Sequence, residues 1–125
     1  MIFQNRFKEA VQALRSALEE GRFGRLVLGN ALIKWYRSPE YYRRGEWKGT
    51  KKYDGGGALI NQSIHTIDLL QWMMGPVKEI QSKIRTLVHD IKVEDTALAI
   101  LEFENGALGL IEGTTSIVLL HNQIF

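Results

Sequence analysis

The sequence predicts an α+β fold, an open, antiparallel (mixed) sheet with helices on one face, in the order α-β-α-β-β-β. Three observations predict it. Apolar residues recur at helical spacing in residues 5–20 and 58–74. β-branched and aromatic runs typical of strands fill the other apolar segments. Asn105-Gly106 separates two apolar runs, which is the sequence pattern of a β-hairpin.

In the first half of the chain we predict one helix and one strand. The amphipathic helix covers residues 5–20 and ends at Gly21, a common helix terminator. A strand over residues 25–36 ends at Ser38-Pro39, because proline removes a donor from the sheet. The long segment from there to Gly57 reads as a loop, and loops of this length are usually functional or disordered. The six aromatic residues between Lys34 and Tyr53, four of them in this segment, favour a function.

In the second half we predict a helix and three strands. The helix covers residues 58–74 and stops at Gly75-Pro76. The hairpin around Asn105-Gly106 predicts a type I′ turn, in which both central residues have positive φ. The predicted strands are residues 77–88, 96–104 and 107–117.

Composition limits the class of protein. A chain of 125 residues with 45% apolar and 24% charged residues matches one globular domain. It contains no cysteine, which excludes disulfides and thiolate metal sites. No apolar run is long enough for a membrane span, and the N-terminus does not read as a secretory signal. We therefore expect a soluble protein of the cytoplasm.

Charge is concentrated in the loop segment. Between Lys34 and Tyr53, seven basic residues stand against two acidic ones, a local charge of +5 in a chain of net charge +2. Six aromatic residues are interleaved with these charges. Such a segment suits an anionic ligand that contains rings.

The helix over residues 58–74 carries a polar stripe formed by Asn61, His65 and Asp68. Asn61 and Asp68 each lie one helical turn from His65, so either could orient its imidazole. An oriented histidine can accept a proton from a substrate hydroxyl. The alternative is a partly solvated edge, or a set of polar groups satisfied inside the core. A metal site is not expected, because His89 and His121 have no ligand cluster at suitable spacing.

Three segments carry a resemblance to a known family: FQNRF near the start, YDGGGALINQSIHTIDLLQWMMG, and VEDTALAILEFENGALGLIEGTTS. Together they cover about residues 3–116 and resemble the C-terminal domain of the Gfo/Idh/MocA oxidoreductases. The resemblance implies the half of an enzyme that follows a Rossmann domain, with an open sheet that builds homo-oligomer contacts. His65 matches the family's catalytic histidine, and Asn61 stands where an aspartate is common.

The resemblance also implies a substrate and the residues that bind it. NQSIH with WYRSPEYYRRGEWKGT upstream is similar to members that oxidise nucleotide-sugar acids such as UDP-N-acetylglucosaminuronic acid. Arg6 is expected near the seam with the cofactor domain. Trp35 and Tyr36 would point to opposite faces of a strand, so only one of such a pair can face the cleft. The expected substrate-binding residues are Lys34, Trp35, Tyr36, Arg37, Tyr41, Tyr42 and Gln62.

The dinucleotide fingerprint and the Glu-Lys-Pro segment of the family are not in this sequence. We therefore expect NAD or NADP in a full-length parent, none bound by this chain alone, and a domain truncated at both ends. Two other functions stay open. The chain could be a free-standing dimerisation or binding module without catalytic activity. Nucleic-acid binding through residues 34–53 is the weaker alternative, because two glutamates interrupt the basic segment.

Overall fold

The sheet is open, and it is mixed because its first strand in the chain lies parallel to its last. A computed structural model describes residues 2–45, 49–50 and 56–117, and in these ranges four strands pair in the order β1-β4-β3-β2. β1 is parallel to β4, whereas β3 is antiparallel to both β2 and β4. The predicted fold class is confirmed. The strands are β1 (Leu28–Lys34), β2 (Val77–Arg85), β3 (Thr96–Phe103) and β4 (Leu108–Thr114).

The helices are shorter than the sequence predicts. A 3₁₀ turn over Gln4–Phe7 precedes α1, Glu9–Glu19, and Gly21 follows with a φ of 72°. The predicted second helix is divided into a π-helical turn, Leu59–Ser63, and α3, Ile64–Met74. Gly75 ends α3 with a φ of 94°, a conformation that favours glycine.

The core lies between α3 and one face of the sheet. Along β3, Ala97, Ala99, Leu101 and Phe103 are buried, and the residues between them point to the other face. Leu70 and Met74 of α3 pack on this buried face. Helix and strand approach so closely that a Cβ on Gly29 would lie 2.8 Å from the Met74 side chain. Gly29 therefore allows α3 to lie close to the sheet.

Two local predictions are wrong. The segment after Ser38 is not simply loop, because Pro39–Arg43 forms a short helix, α2, capped by the Ser38 side chain. The hairpin exists, but its turn is not type I′, since Asn105 has no positive φ and Gly106 does, at 86°. The Asn105 side chain instead accepts a hydrogen bond from the Ala107 amide, and a three-residue loop results.

Some sequence predictions concern residues outside the described ranges. They include Trp47, Tyr53, three of the basic residues counted above, Gly55 and His121. Residues 118–125, which follow the last predicted strand, also lie outside them. Among the residues that are described, no helix is long and apolar enough to cross a membrane.

Candidate active site

The π-helical turn determines where His65 lies. In a π-helix each bond spans five residues, so the turn inserts one residue relative to an α-helix and rotates what precedes it. The Ser63 hydroxyl donates to the Ala58 carbonyl, five residues back, at 2.9 Å. Ser63 is fully buried against β4, where a Cβ on Gly113 would lie 2.9 Å from its hydroxyl. His65 then stands in the first turn of α3.

The predicted pairing of His65 with Asn61 or Asp68 is wrong. Side chains four residues apart share a face in an α-helix. The π-turn before His65 adds one residue to the turn, so Asn61 and His65 no longer have this relation. The exposed Asn61 amide donates to the Gly56 carbonyl at 3.3 Å. The Asp68 carboxylate is bound by Arg6. Neither side chain orients the imidazole.

His65 instead has an aromatic neighbour and a free nitrogen. The Phe3 ring meets the His65 ring edge-on, with centroids 6.2 Å apart and planes at 82°. The Nδ1 atom of His65 is buried and has no hydrogen-bond partner among the described residues. An unpaired buried polar atom is costly, and in native structures it commonly awaits a ligand or water. Gln62, half-buried in the π-turn, lies three positions before His65.

Arg6 links the N-terminal segment to α3. Its Nε and Nη2 atoms donate to the two oxygens of Asp68 at 2.8 and 2.5 Å, a bidentate pair. The hydrogen bond that Arg6 donates to the Asp68 carboxylate raises the pKa of Arg6. The guanidinium also lies over the rings of Phe3 and Trp72, at 5.6 and 5.1 Å. This cluster holds Phe3 beside His65.

The predicted substrate-binding residues divide between the two faces of the sheet. Lys34 pairs with Glu112 at 3.2 Å on the face opposite the helices, so the structure does not bring it to the His65 side. Strand alternation places Trp35, which directly follows β1, on the same side of the sheet as Ile33, and 53% of Trp35 is exposed. Tyr36 forms an isolated bridge with Ser116.

Arg37 is held between two aromatic rings. Its guanidinium lies 5.4 Å from the Trp35 ring centroid and 4.8 Å from that of Tyr41. The Arg37 Nε atom is buried and, within the described part of the chain, has no hydrogen-bond partner. A guanidinium with an unused buried donor is suited to a carboxylate or phosphate.

His89 holds the backbone of this segment. Its Nε2 lies 2.6 Å from the Arg37 carbonyl, which can only accept, so Nε2 carries the proton. Its Nδ1 lies 3.2 Å from the Ser116 hydroxyl and 3.3 Å from Oδ2 of Asp95. The Tyr42 ring meets the His89 ring edge-on, with centroids 4.7 Å apart, and its hydroxyl forms a hydrogen bond with the Thr115 hydroxyl.

Asp95 fixes the loop that carries His89. The carboxylate is fully buried and accepts from the amides of Leu87, Val88 and His89, each at 2.9 Å. The Thr96 hydroxyl also donates to it, at 3.1 Å. Burial alone would raise the pKa of Asp95, but these donors outweigh burial and lower the pKa to about 2.

Sequence reasoning missed Phe3, Glu94, Asp95 and the structural role of His89. The signal that could have found two of them is Glu94-Asp95, an acidic pair directly before an alternating apolar strand. Carboxylates at such a position are rarely buried unless hydrogen-bonded. No cluster of three or more histidine or acidic side chains suited to a metal occurs in residues 2–45, 49–50 and 56–117.

Comparison with known families identifies the class of the domain. The family model described as "GFO/IDH/MocA C-terminal domain" matches residues 11–122. The chain therefore belongs to the GFO/IDH/MocA oxidoreductase family and represents its C-terminal domain.

Two solved structures add a more particular likeness. The WlbA dehydrogenase of Bordetella pertussis, in complex with NADH and UDP-GlcNAcA, is 39% identical with a TM-score of 0.88. The WlbA dehydrogenase of Chromobacterium violaceum, with the same two ligands, is 41% identical with a TM-score of 0.86. This chain is matched over 93% and 92% of its length, and it covers 35% and 33% of theirs. The resemblance to nucleotide-sugar-acid dehydrogenases is confirmed.

Curated relatives are more distant. Levoglucosan dehydrogenase of Pseudarthrobacter phenanthrenivorans is 24% identical over 90% of this chain. Myo-inositol 2-dehydrogenase of Thermotoga maritima is 28% identical over 97% of it. The chain spans about a third of the length of the curated relatives it matches, 35% in both cases.

Proposed function

We propose that this chain is the substrate-binding half of an NAD(P)-dependent oxidoreductase that oxidises a hydroxyl of a nucleotide-sugar acid. The observation that carries the proposal is the buried Nδ1 atom of His65, which has no partner among the described residues, in a helix that lies within the matched family domain. A free imidazole nitrogen can take the proton from a substrate hydroxyl as that carbon is oxidised to a carbonyl.

The anionic substrate is supported by Arg37. This guanidinium is flanked by Trp35 and Tyr41 and keeps one buried donor free among the described contacts. Arginine binds carboxylate and phosphate groups in such a setting, and aromatic rings add contact area for a base or sugar. The two WlbA enzymes bind UDP-GlcNAcA, which carries both kinds of anion. Tyr42 and Gln62 are the further predicted residues that stay in this proposal.

The nicotinamide cofactor does not fit the helix start of this chain. A pyrophosphate would need free amides after the glycines, but the Leu59 amide already donates to the Glu94 carboxylate at 3.2 Å. The negative charge there repels phosphate. Arg6 was predicted near the cofactor, but its guanidinium binds the Asp68 carboxylate. We infer that another domain holds NAD or NADP, which would supply the hydride acceptor, and that this chain supplies the proton acceptor.

Replacing His65 tests the proposal directly. In the complete protein that carries these residues, we expect His65→Asn to lower turnover of UDP-GlcNAcA with NAD by roughly 100-fold or more. The measurement is the rate of NADH formation. Thr66→Ala, an exposed neighbour on α3, is the control and should leave the rate unchanged.

Two results would contradict the proposal. Near-normal turnover in His65→Asn would remove the catalytic role of this histidine. Activity on a neutral sugar, with none on any nucleotide sugar, would reject the substrate class.

A further inference from the structure

Glu94 binds the start of the helix that carries His65 at two points. Its backbone carbonyl accepts from the Ala58 amide at 3.0 Å, and its carboxylate accepts from the Leu59 amide at 3.2 Å. The first amides of a helix have no partner within the helix, and a π-turn leaves one more of them than an α-turn does. Glu94 therefore supplies acceptors that the π-turn itself lacks.

The contact between Glu94 and the helix start is close. A Cβ on Gly57 would lie 2.0 Å from the Glu94 carbonyl oxygen and 2.7 Å from its carboxylate. Any larger residue than glycine would push the two segments apart. Gly57 thus allows an approach that the two hydrogen bonds require.

The backbone that bears Glu94 is itself fixed. The next residue, Asp95, donates its amide to the Arg85 carbonyl and accepts from the Thr115 amide through its own carbonyl. Its buried carboxylate is saturated by the amide donors of residues 87–89. Glu94 is therefore a rigid support, whereas the exposed Asn61 of the π-turn is not.

We propose that Glu94 is a positioning residue that fixes the π-turn and, through it, the place of the His65 ring. The proposal rests on the proposed function for its catalytic consequence. Its structural consequence, the edge-on contact between His65 and Phe3, does not depend on that function. This role depends on the hydrogen bond that the Glu94 side chain accepts from the Leu59 amide, and it does not depend on the charge of the carboxylate.

Three substitutions separate acceptor from charge. Glu94→Gln keeps an oxygen acceptor of the same reach and removes the charge. Glu94→Asp keeps the charge but shortens the side chain by one methylene, so it cannot reach the Leu59 amide. Glu94→Ala removes both. Glu104→Ala, at an exposed hairpin residue, is the matched control.

The first readout is the nuclear Overhauser contact between the His65 and Phe3 rings in this chain. We expect it in the wild type, in Glu94→Gln and in Glu104→Ala, and we expect it to be lost in Glu94→Asp and Glu94→Ala. The second readout is kcat and KM in the complete protein. A displacement of about 1 Å can cost 100-fold in rate, so we expect kcat of Glu94→Asp to fall roughly 10- to 100-fold while KM changes less than about threefold.

The outcomes distinguish this proposal from the proposed function. If His65→Asn abolishes turnover but Glu94→Asp and Glu94→Ala retain kcat and the ring contact, Glu94 does not position His65. Equal loss in Glu94→Gln and Glu94→Asp would also reject the acceptor role. If His65→Asn retains turnover, the proposed function fails, and the ring contact alone then decides the role of Glu94.

Discussion

At the scale of single residues, the buried carboxylates in the described part of the chain are hydrogen-bonded within the fold. The Nδ1 atom of the candidate base His65 has no partner there. Asp68 is bound by Arg6 and Asp95 by three backbone amides. The sequence predicted His65 because its motif is local. It could not predict the partner of Asp68, since Arg6 lies 62 positions away and only the fold brings the two together.

The stability of the protein should depend on the charge of Asp95. Its pKa is lowered from 3.8 to about 2, so the native state favours the charged form by about 2 kcal/mol. A depressed pKa contributes stability that is present above about pH 4 and lost as the pH falls towards 2. We expect Asp95→Asn to lower the free energy of unfolding at pH 7 by roughly 2–4 kcal/mol, because one of the two oxygens that accept from the amides of residues 87–89 becomes an NH₂ donor. Urea unfolding measures this.

The pH dependence provides the check on this interpretation. The difference between wild type and Asp95→Asn should shrink as the pH is lowered from about 4 to about 2. Asp90→Asn, at an exposed residue of the same loop, should change little at any pH. A constant difference between wild type and Asp95→Asn across this range would show that the carboxylate charge is not the cause.

At the scale of elements, the type and order of the main helices and strands were predictable, whereas their exact lengths and irregularities were not. The π-turn depends on Ser63 entering a space left by Gly113 of β4. The two residues lie 50 positions apart in the sequence, so helical periodicity cannot predict their contact. Helix α2 was predictable in principle. Ser38 as a cap, Pro39 in the first turn and Glu40 after it form a helix-start pattern that was interpreted only as the end of a strand.

The fit between the π-turn and β4 can be tested at Gly113. In Gly113→Ala a Cβ would lie 2.9 Å from both the Leu59 and the Ser63 side chains. We expect the free energy of unfolding to fall by roughly 1–3 kcal/mol through overpacking, measured by urea unfolding. Gly21→Ala is the comparison, since its Cβ meets nothing within 4 Å and only its φ of 72° is unfavourable. It should cost about 1 kcal/mol. A smaller loss at Gly113 than at Gly21 would mean that the π-turn adjusts freely.

At the scale of the whole molecule, the sheet face opposite the helices carries exposed apolar side chains beside the Lys34–Glu112 ion pair. Leu28, Leu32, Leu98, Ile100 and Leu108 lie on this face, and each is more than half exposed. An uncovered patch of this kind marks an interaction surface in a soluble protein. We propose that it joins copies of this chain, as the family resemblance implies.

A charge on this face should separate the copies. We expect Ile100→Lys to shift the protein from oligomer to monomer in sedimentation-velocity experiments. Ile80→Lys is the matched control, because Ile80 is 59% exposed and Ile100 60%, but Ile80 lies on the helix side of the edge strand β2. A wild type that is monomeric at all concentrations, or an equal effect of both substitutions, would contradict the proposed interface.

The parallel pairing of β1 with β4 has a consequence for the order of folding. Leu28 pairs with Leu108 across 80 positions, whereas β3 and β4 are joined by a three-residue turn. By loop-closure entropy, joining ends 80 residues apart costs about 2 kcal/mol more than closing a short loop. The ladder of β2, β3 and β4 therefore forms before β1 adds to its edge. Since Trp35 and Arg37 directly follow β1, the wall of the cleft that would bind the anionic substrate is completed last.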